Sequence, residues 1–124
     1  MKLVILPTAT EKSLYLQSMV ESFLNTAIWV QFDADQNITF EKISLDAKIQ
    51  SIKDCGDFLD ALDYKVKDID SVQMGHDFFL TRNRHGAGFW DRGNGEFGDE
   101  LTQLSHKFSE FTPVIGDDGL VYFE

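Results

Sequence analysis

The sequence is poor in cysteine and in long apolar runs, and each scarcity excludes a class of protein. Its one cysteine, Cys55, cannot form an intramolecular disulfide, so the fold needs no oxidising compartment. No apolar run is long enough to span a bilayer, and the apolar stretch before Pro7 is too short for the apolar region of a signal peptide. We therefore expect a cytoplasmic protein without a membrane contact.

Positive charge is scarce as well. The chain has 11 Lys and Arg against 21 Asp and Glu, a formal net charge of -10. Such a field repels DNA and acidic membranes and attracts basic partners. We therefore expect no direct nucleic-acid binding and a partner protein with a basic surface, although the same charge also serves plain solubility.

Two helices are predicted in the first half of the chain. Thr8 and Glu11 have the spacing of a capping box, and apolar residues behind them recur at steps of three and four, which predicts a helix over about 10–31. Ser44 is the predicted N-cap of a second helix. Its apolar side is expected to hold Leu45, Ile49, Ile52, Leu59 and Leu62, and its acidic outer side Asp54, Asp57 and Asp60. Gly56 is expected to permit a close helix contact.

Beyond a polar loop over 63–71, the second half predicts extended chain. Aromatic and alternating residues over 76–82 and 87–92 flank a turn at 83–86, which is typical of a β-hairpin. Asp99 is the predicted cap of a third helix that Pro113 stops, and 120–123 form a last strand. The expected fold class is α+β: a single compact domain over 1–124 with two N-terminal helices, a β-hairpin, a third helix and a short C-terminal strand.

Motifs for metals and for nucleophilic catalysis are incomplete. Asp33, Asp35 and Asn37 begin like a calcium loop, but Ile38 replaces the glycine of the sharp turn and Ser44 the closing glutamate. Cys55 and the three histidines have no zinc-ligand spacing, and no Gly-x-Ser-x-Gly elbow occurs. We expect no metal, no cofactor and no catalytic residue.

All three arginines, Arg82, Arg84 and Arg92, lie in the predicted hairpin. Arginine is favoured over lysine where planar, bidentate or stacked contacts matter, so this grouping indicates positioned contacts. In a structural interpretation, Arg82 and Arg92 pair with Asp77, Asp91 or the acidic helix, and Trp90 fills the core. In a functional interpretation, Arg84, His85 and Trp90 face a partner, because Trp and Arg are enriched at binding hot spots. We favour the structural interpretation for Trp90 and Arg92 and the functional interpretation for Arg84 and His85.

The run GHDFFLTRNRHGAGFWDRG resembles a recurrent segment of small uncharacterised proteins encoded by bacteriophages and other mobile elements. The resemblance implies such an origin and no mechanism. It covers about the C-terminal two-thirds of the chain, on Gly75–Phe79, Thr81–Asn83, His85–Asp91 and Gly98–Thr102, together with Asp54, Cys55 and Phe58.

The leading hypothesis is a non-enzymatic acidic accessory protein that binds a host protein in the host cytosol and could inhibit a nucleic-acid-binding or defence enzyme. Spaced carboxylates on a rigid helix imitate phosphates. The predicted partner-binding residues are Asp54, Asp57, Asp60, Arg82, Arg84, His85 and Trp90. One alternative is a hydrolase-like or other enzyme that uses His76, Asp77, Arg82, His85 and Asp91. Another is a hairpin that binds single-stranded nucleic acid through cations and stacking rings.

Overall fold

Four α-helices dominate the computed structural model, which describes residues 8–85, 88–89 and 92–124. They are α1 (Ala9–Gln31), α2 (Leu45–Ala61), α3 (Ser71–Arg82) and α4 (Gly95–Ser105), with two single-turn 3-10 helices, Ala34–Gln36 and Phe40–Lys42, between α1 and α2. Strands β1 (Pro113–Ile115) and β2 (Val121–Phe123) pair antiparallel, with Val114 opposite Tyr122. None of the described helices is both long and apolar enough to traverse a bilayer.

The starts of the first two helices confirm the sequence-based prediction. The Glu11 amide donates to Thr8 Oγ1 at 3.1 Å, and the Thr8 amide donates back to Glu11 Oε1 at 3.3 Å, which completes the capping box. At the start of α2, the Ala47 amide donates to Ser44 Oγ at 3.1 Å. Both signals are local and satisfy amides that the helix itself leaves without partners.

The predicted hairpin is wrong, and with it the α+β fold class. Residues 76–82 belong to the helix α3, which begins where the Asp70 carboxylate accepts from the Gln73 amide at 2.8 Å. Over the described residues the fold is mainly helical, with one two-stranded sheet. Nearly every residue from Met74 to Arg82 is buried, so α3 has no polar face and lacks the helical period that marks a surface helix. Of the predicted return strand, residues 87, 90 and 91 lie outside the described residues.

The C-terminal part of the prediction is partly confirmed. The third predicted helix exists as α4, but it begins at Gly95 rather than behind Asp99 and ends well before Pro113. The last strand is confirmed as β2, whose partner is β1 rather than the hairpin predicted over 76–92. The sheet is joined to the start of α2 by the Ser44 amide, which donates to the Val121 carbonyl at 2.9 Å.

The core lies where α1 and α3 cross, and phenylalanine fills it. Phe23, Phe58, Phe78 and Phe89 are fully buried, and the rings of Phe58 and Phe78 lie 4.4 Å apart. The close approach of the two helices is made at Gly75. A Cβ there would overlap the Met19 carbonyl oxygen and come within 2.9 Å of the Phe23 amide nitrogen. The glycine of close helix contact is therefore Gly75 on α3, whereas a Cβ at Gly56 would meet only a Leu16 methyl group at 3.9 Å.

Candidate functional site

Arg82 and Asp54, both predicted partner contacts, form a buried ion pair. Arg82 Nη1 lies 2.9 Å from Asp54 Oδ2, and the two side chains are 1% and 10% exposed. Arg82 Nε and Nη2 donate to the Ser109 carbonyl at 3.0 and 2.8 Å. Asp54 therefore lies inside and not on an acidic outer face. The pair joins α2, α3 and the segment behind α4, which makes it a structural connection.

Four phenylalanine rings enclose the guanidinium of Arg82. Its central carbon lies between 4.3 and 5.8 Å from the ring centroids of Phe23, Phe78, Phe108 and Phe111. Burial lowers the pKa of Arg82, while its hydrogen bond and charge interaction with Asp54 oppose that change. A guanidinium held this way stays charged and stacks on the rings, so it contributes to the fold and offers nothing to a partner.

Arg92 is a second structural arginine, as the sequence predicted. Its Nε and Nη2 donate to the two carboxylate oxygens of Asp77 at 3.2 and 3.0 Å. The Asp77 side chain is 1% exposed and that of Arg92 40%. This bidentate pair fixes the chain behind residue 91 to α3.

Other described residues of the run from Gly75 to Gly93 also make internal contacts. The Phe89 amide donates to Thr81 Oγ1 at 3.2 Å, and the Phe111 amide donates to Asn83 Oδ1 at 2.6 Å. A Cβ at Gly88 would overlap Thr81 Oγ1. Much of this run therefore fixes the tertiary structure rather than forming an exposed site.

Arg84 and His85 are exposed at the end of α3, where they and His106 border a depression of about 170 Å³. The His85 amide donates to the Leu80 carbonyl at 2.9 Å, the 6→1 bond of a Schellman motif. Arg84 holds the left-handed position of that motif, with φ of 59°, where glycine is the usual residue. Trp90, the remaining predicted contact of this group, lies outside the described residues.

Arg84→Gly is expected to raise the free energy of unfolding by about 1 kcal/mol, because only glycine adopts the left-handed conformation without a steric cost. Chemical denaturation of both proteins measures the difference. Lys107→Gly is the control: Lys107 is exposed close to the end of α4 and is not among the residues with positive φ. A loss of stability in Arg84→Gly would show that its side chain makes a stabilising contact.

The residues of the enzyme alternative do not assemble in the described part of the chain. Asp77 and Arg82 are occupied by their ion pairs, and His76 Nδ1 lies 3.1 Å from the Thr26 hydroxyl rather than beside a carboxylate. Burial raises the pKa of the Cys55 thiol, which removes it as a nucleophile. Within the same described ranges no group of three or more His, Cys, Asp and Glu could hold a metal ion. Asp91, the remaining residue of this alternative, lies outside the described residues.

The outer face of α2 carries an apolar stripe, which we define as Leu45, Ile49 and Ile52. These side chains follow each other at helical spacing, yet they are 71%, 56% and 49% exposed. The sequence prediction placed them on the buried side with Leu59 and Leu62, and this is wrong for the stripe. Asp54 lies on the core side of α2 instead, because it forms its ion pair with Arg82 there.

Carboxylates lie beside the stripe. Asp46, Asp57 and Asp60 are exposed on the same helix, and Asp57 accepts from Lys53 Nζ at 2.7 Å. Of the predicted acidic trio, Asp57 and Asp60 are thus surface groups. An exposed pair such as Lys53–Asp57 contributes little stability and leaves its carboxylate available to a partner.

On the side facing α1, a groove of about 300 Å³ borders the stripe and includes Ile52. Leu16, Val20 and Leu24 of α1 line it, and Lys48 Nζ lies 5.1 Å from the ring centroid of Phe40 at its margin. Stripe and groove form one apolar surface with charged margins, the composition of a protein-binding site.

Sequence reasoning missed this surface because the i, i+4, i+7 spacing of the stripe also predicts a core-facing helix. No local signal separated the two, because the burial of Asp54 on the core side of α2 depends on its contact with Arg82, 28 residues later. Comparisons of the chain with protein-family models, with curated proteins and with solved structures find no match.

Proposed function

We propose that the chain is a non-enzymatic accessory protein, of phage or mobile-element type, that binds another protein through the apolar stripe of α2. The observation that carries the proposal is the exposure of Leu45, Ile49 and Ile52 on three successive turns of one helix. A core that is already filled by phenylalanine does not need them. Aliphatic side chains aligned on a rigid helix are the anchors that a hydrophobic groove on a partner takes up.

The partner is a host protein with an apolar groove that basic residues flank. Asp46, Asp57 and Asp60 beside the stripe supply the complementary charge, and the net charge of -10 accelerates the encounter with a basic surface. A basic groove that holds nucleic-acid phosphates has this character. We therefore propose that the chain inhibits a nucleic-acid-binding or defence enzyme by occupying such a groove.

Ile49→Asp is expected to weaken binding by at least about 30-fold, because a central anchor of an interface contributes 2 kcal/mol or more. The experiment selects a displayed random-peptide library on the wild-type chain and measures the affinities of enriched peptides by calorimetry. Enriched peptides should combine apolar residues at helical spacing with lysine or arginine. Their affinity should fall with increasing salt.

Leu14→Asp is the matched control, since Leu14 is 61% exposed on α1, outside the stripe and the groove beside it. It should bind like wild type. Asp57→Asn/Asp60→Asn should bind less tightly and with a weaker dependence on salt. Equal binding by wild type and Ile49→Asp, or selection of acidic peptides, would contradict the proposal.

Arg84 and His85 are proposed as a second contact. The left-handed backbone of Arg84 supports this. A strained backbone that no internal contact of the side chain compensates is typical of a functional position. The variant Arg84→Gly therefore also enters the affinity measurement, where a weaker complex of a more stable protein is the expected result.

A further inference from the structure

A cavity of about 650 Å³ lies between α1 and α3, and no residue of the apolar stripe lines it. Trp29 and Val72 form apolar parts of its wall, and they are 72% and 60% exposed. The Trp29 ring centroid lies 6.1 Å from that of His76. An indole this exposed presents a flat apolar surface to which another planar ring can stack.

The hydrogen bonds of Thr26 fix the tautomer of His76. The Thr26 hydroxyl donates its single proton to the Ser22 carbonyl at 2.8 Å, so it can only accept from His76 Nδ1 at 3.1 Å. A neutral His76 therefore carries its proton on Nδ1 and leaves Nε2 as the free nitrogen.

Arg92 supplies a hydrogen-bond donor to the cavity. Asp77 holds its Nε and Nη2, and Nη1 donates to no side chain or carbonyl among the described residues. Because the carboxylate orients the guanidinium, Arg92 presents Nη1 in a fixed position. Arg92 is bonded to Asp77, the residue after His76, and Trp29, His76 and Arg92 all line the cavity.

The cavity has a charge asymmetry along α1. Glu21 also lines it, but eight residues before Trp29, which corresponds to about 12 Å along a helix axis. The acid thus lies towards one end of this wall, and the indole with the neighbouring imidazole towards the other. A ligand whose ring stacks on Trp29 therefore lies away from Glu21.

We propose that this cavity is a binding site for a small planar aromatic ligand that bears an anionic group. The ring stacks on Trp29, and the anion accepts from Arg92 Nη1. A nucleoside monophosphate and an aromatic carboxylate share this chemistry. No residue of the stripe lines the site, although Glu21 lines both this cavity and the groove beside the stripe.

The test is calorimetric titration of the full chain with adenosine 5′-monophosphate and with 1-naphthoate. Adenosine and inorganic phosphate are the ring-only and anion-only probes. At least one of the two aromatic anions should bind more tightly than both of these, and the identity of the better one distinguishes a nucleotide from an aromatic acid. Absence of binding by both aromatic anions at millimolar concentration, or equal binding of adenosine and its monophosphate without binding of naphthoate, would overturn the proposal.

Trp29→Ala should weaken the binding of the aromatic anion at least about fivefold, the lower end of what stacking on an aromatic side chain contributes. Because the Trp29 side chain is largely exposed, the substitution should leave the fold intact. Glu21→Gln should strengthen binding, and Leu14→Ala, on α1 outside the cavity, should leave it unchanged. Equal affinity of wild type and Trp29→Ala would show that the probe binds elsewhere and would overturn the assignment.

Discussion

Arg82→Met is expected to lower the free energy of unfolding by about 3–5 kcal/mol, the usual cost of removing one partner from a buried ion pair. Methionine fits among the phenylalanine rings that enclose the guanidinium, so the loss does not come from an empty space. It comes from Asp54, whose buried carboxylate is left without its cation. Urea denaturation of the variant and the wild type measures the difference.

Arg82→Met/Asp54→Leu separates charge from packing. Replacing a buried pair by apolar residues of similar volume is often neutral or stabilising, so the double variant should regain most of the stability that the single variant loses. Lys53→Met is the control, because the Lys53–Asp57 contact is shorter still, at 2.7 Å, but lies at the surface, and its loss should leave stability unchanged. If the double variant were as unstable as the single one, the bonds from Arg82 to the Ser109 carbonyl would be the dominant contribution.

Gly75→Ala is expected to destabilise the protein by about 1–3 kcal/mol or more, the range for overpacking a well-filled core. The added methyl group would meet backbone atoms of α1, the Met19 carbonyl and the Phe23 amide. Backbone cannot rotate away as a side chain can, so α1 and α3 must separate. The shift also loosens the phenylalanine core beneath them. Thermal and chemical unfolding of the variant measure the loss.

Gly56→Ala is the matched control, because it makes the same substitution inside a helix with the opposite expected sign. A Cβ at Gly56 has room, and alanine gains about 1 kcal/mol over glycine in a helix interior. The variant should therefore be more stable than wild type. Stabilisation by both substitutions would contradict the close crossing of α1 and α3.

Features set by neighbouring residues could be predicted from the sequence. The capping box of Thr8 and Glu11 and the N-cap Ser44 act within one helical turn, so α1 and the start of α2 were recognisable. The bidentate pair of Arg92 with Asp77 was also within reach, because arginine amid acids in one short stretch favours such pairing.

Features set by distant residues could not be predicted. α3 is surrounded by other elements, so its sequence shows no polar face, and its phenylalanines imitate a strand. Asp54 looks like any surface aspartate until Arg82, 28 residues later, is known to meet it. The same unknown contact concealed the true outer face of α2, and therefore the stripe proposed to bind a partner.

The central position of α3 has a consequence for folding kinetics. Its contacts span long stretches of chain: Arg82 bonds to Asp54 and Ser109, 28 and 27 residues away, and His76 to Thr26, 50 residues away. The chain loses loop-closure entropy before such contacts form. Folding is therefore slower than in a bundle whose helices pack mainly against their neighbours in sequence. α1 and α2 can form transient helices early, because their capping contacts are local. α3 becomes fixed only when α1, α2 and the segment behind α4 are in place around it. Amide hydrogens in its middle turns should therefore exchange with solvent only through global unfolding.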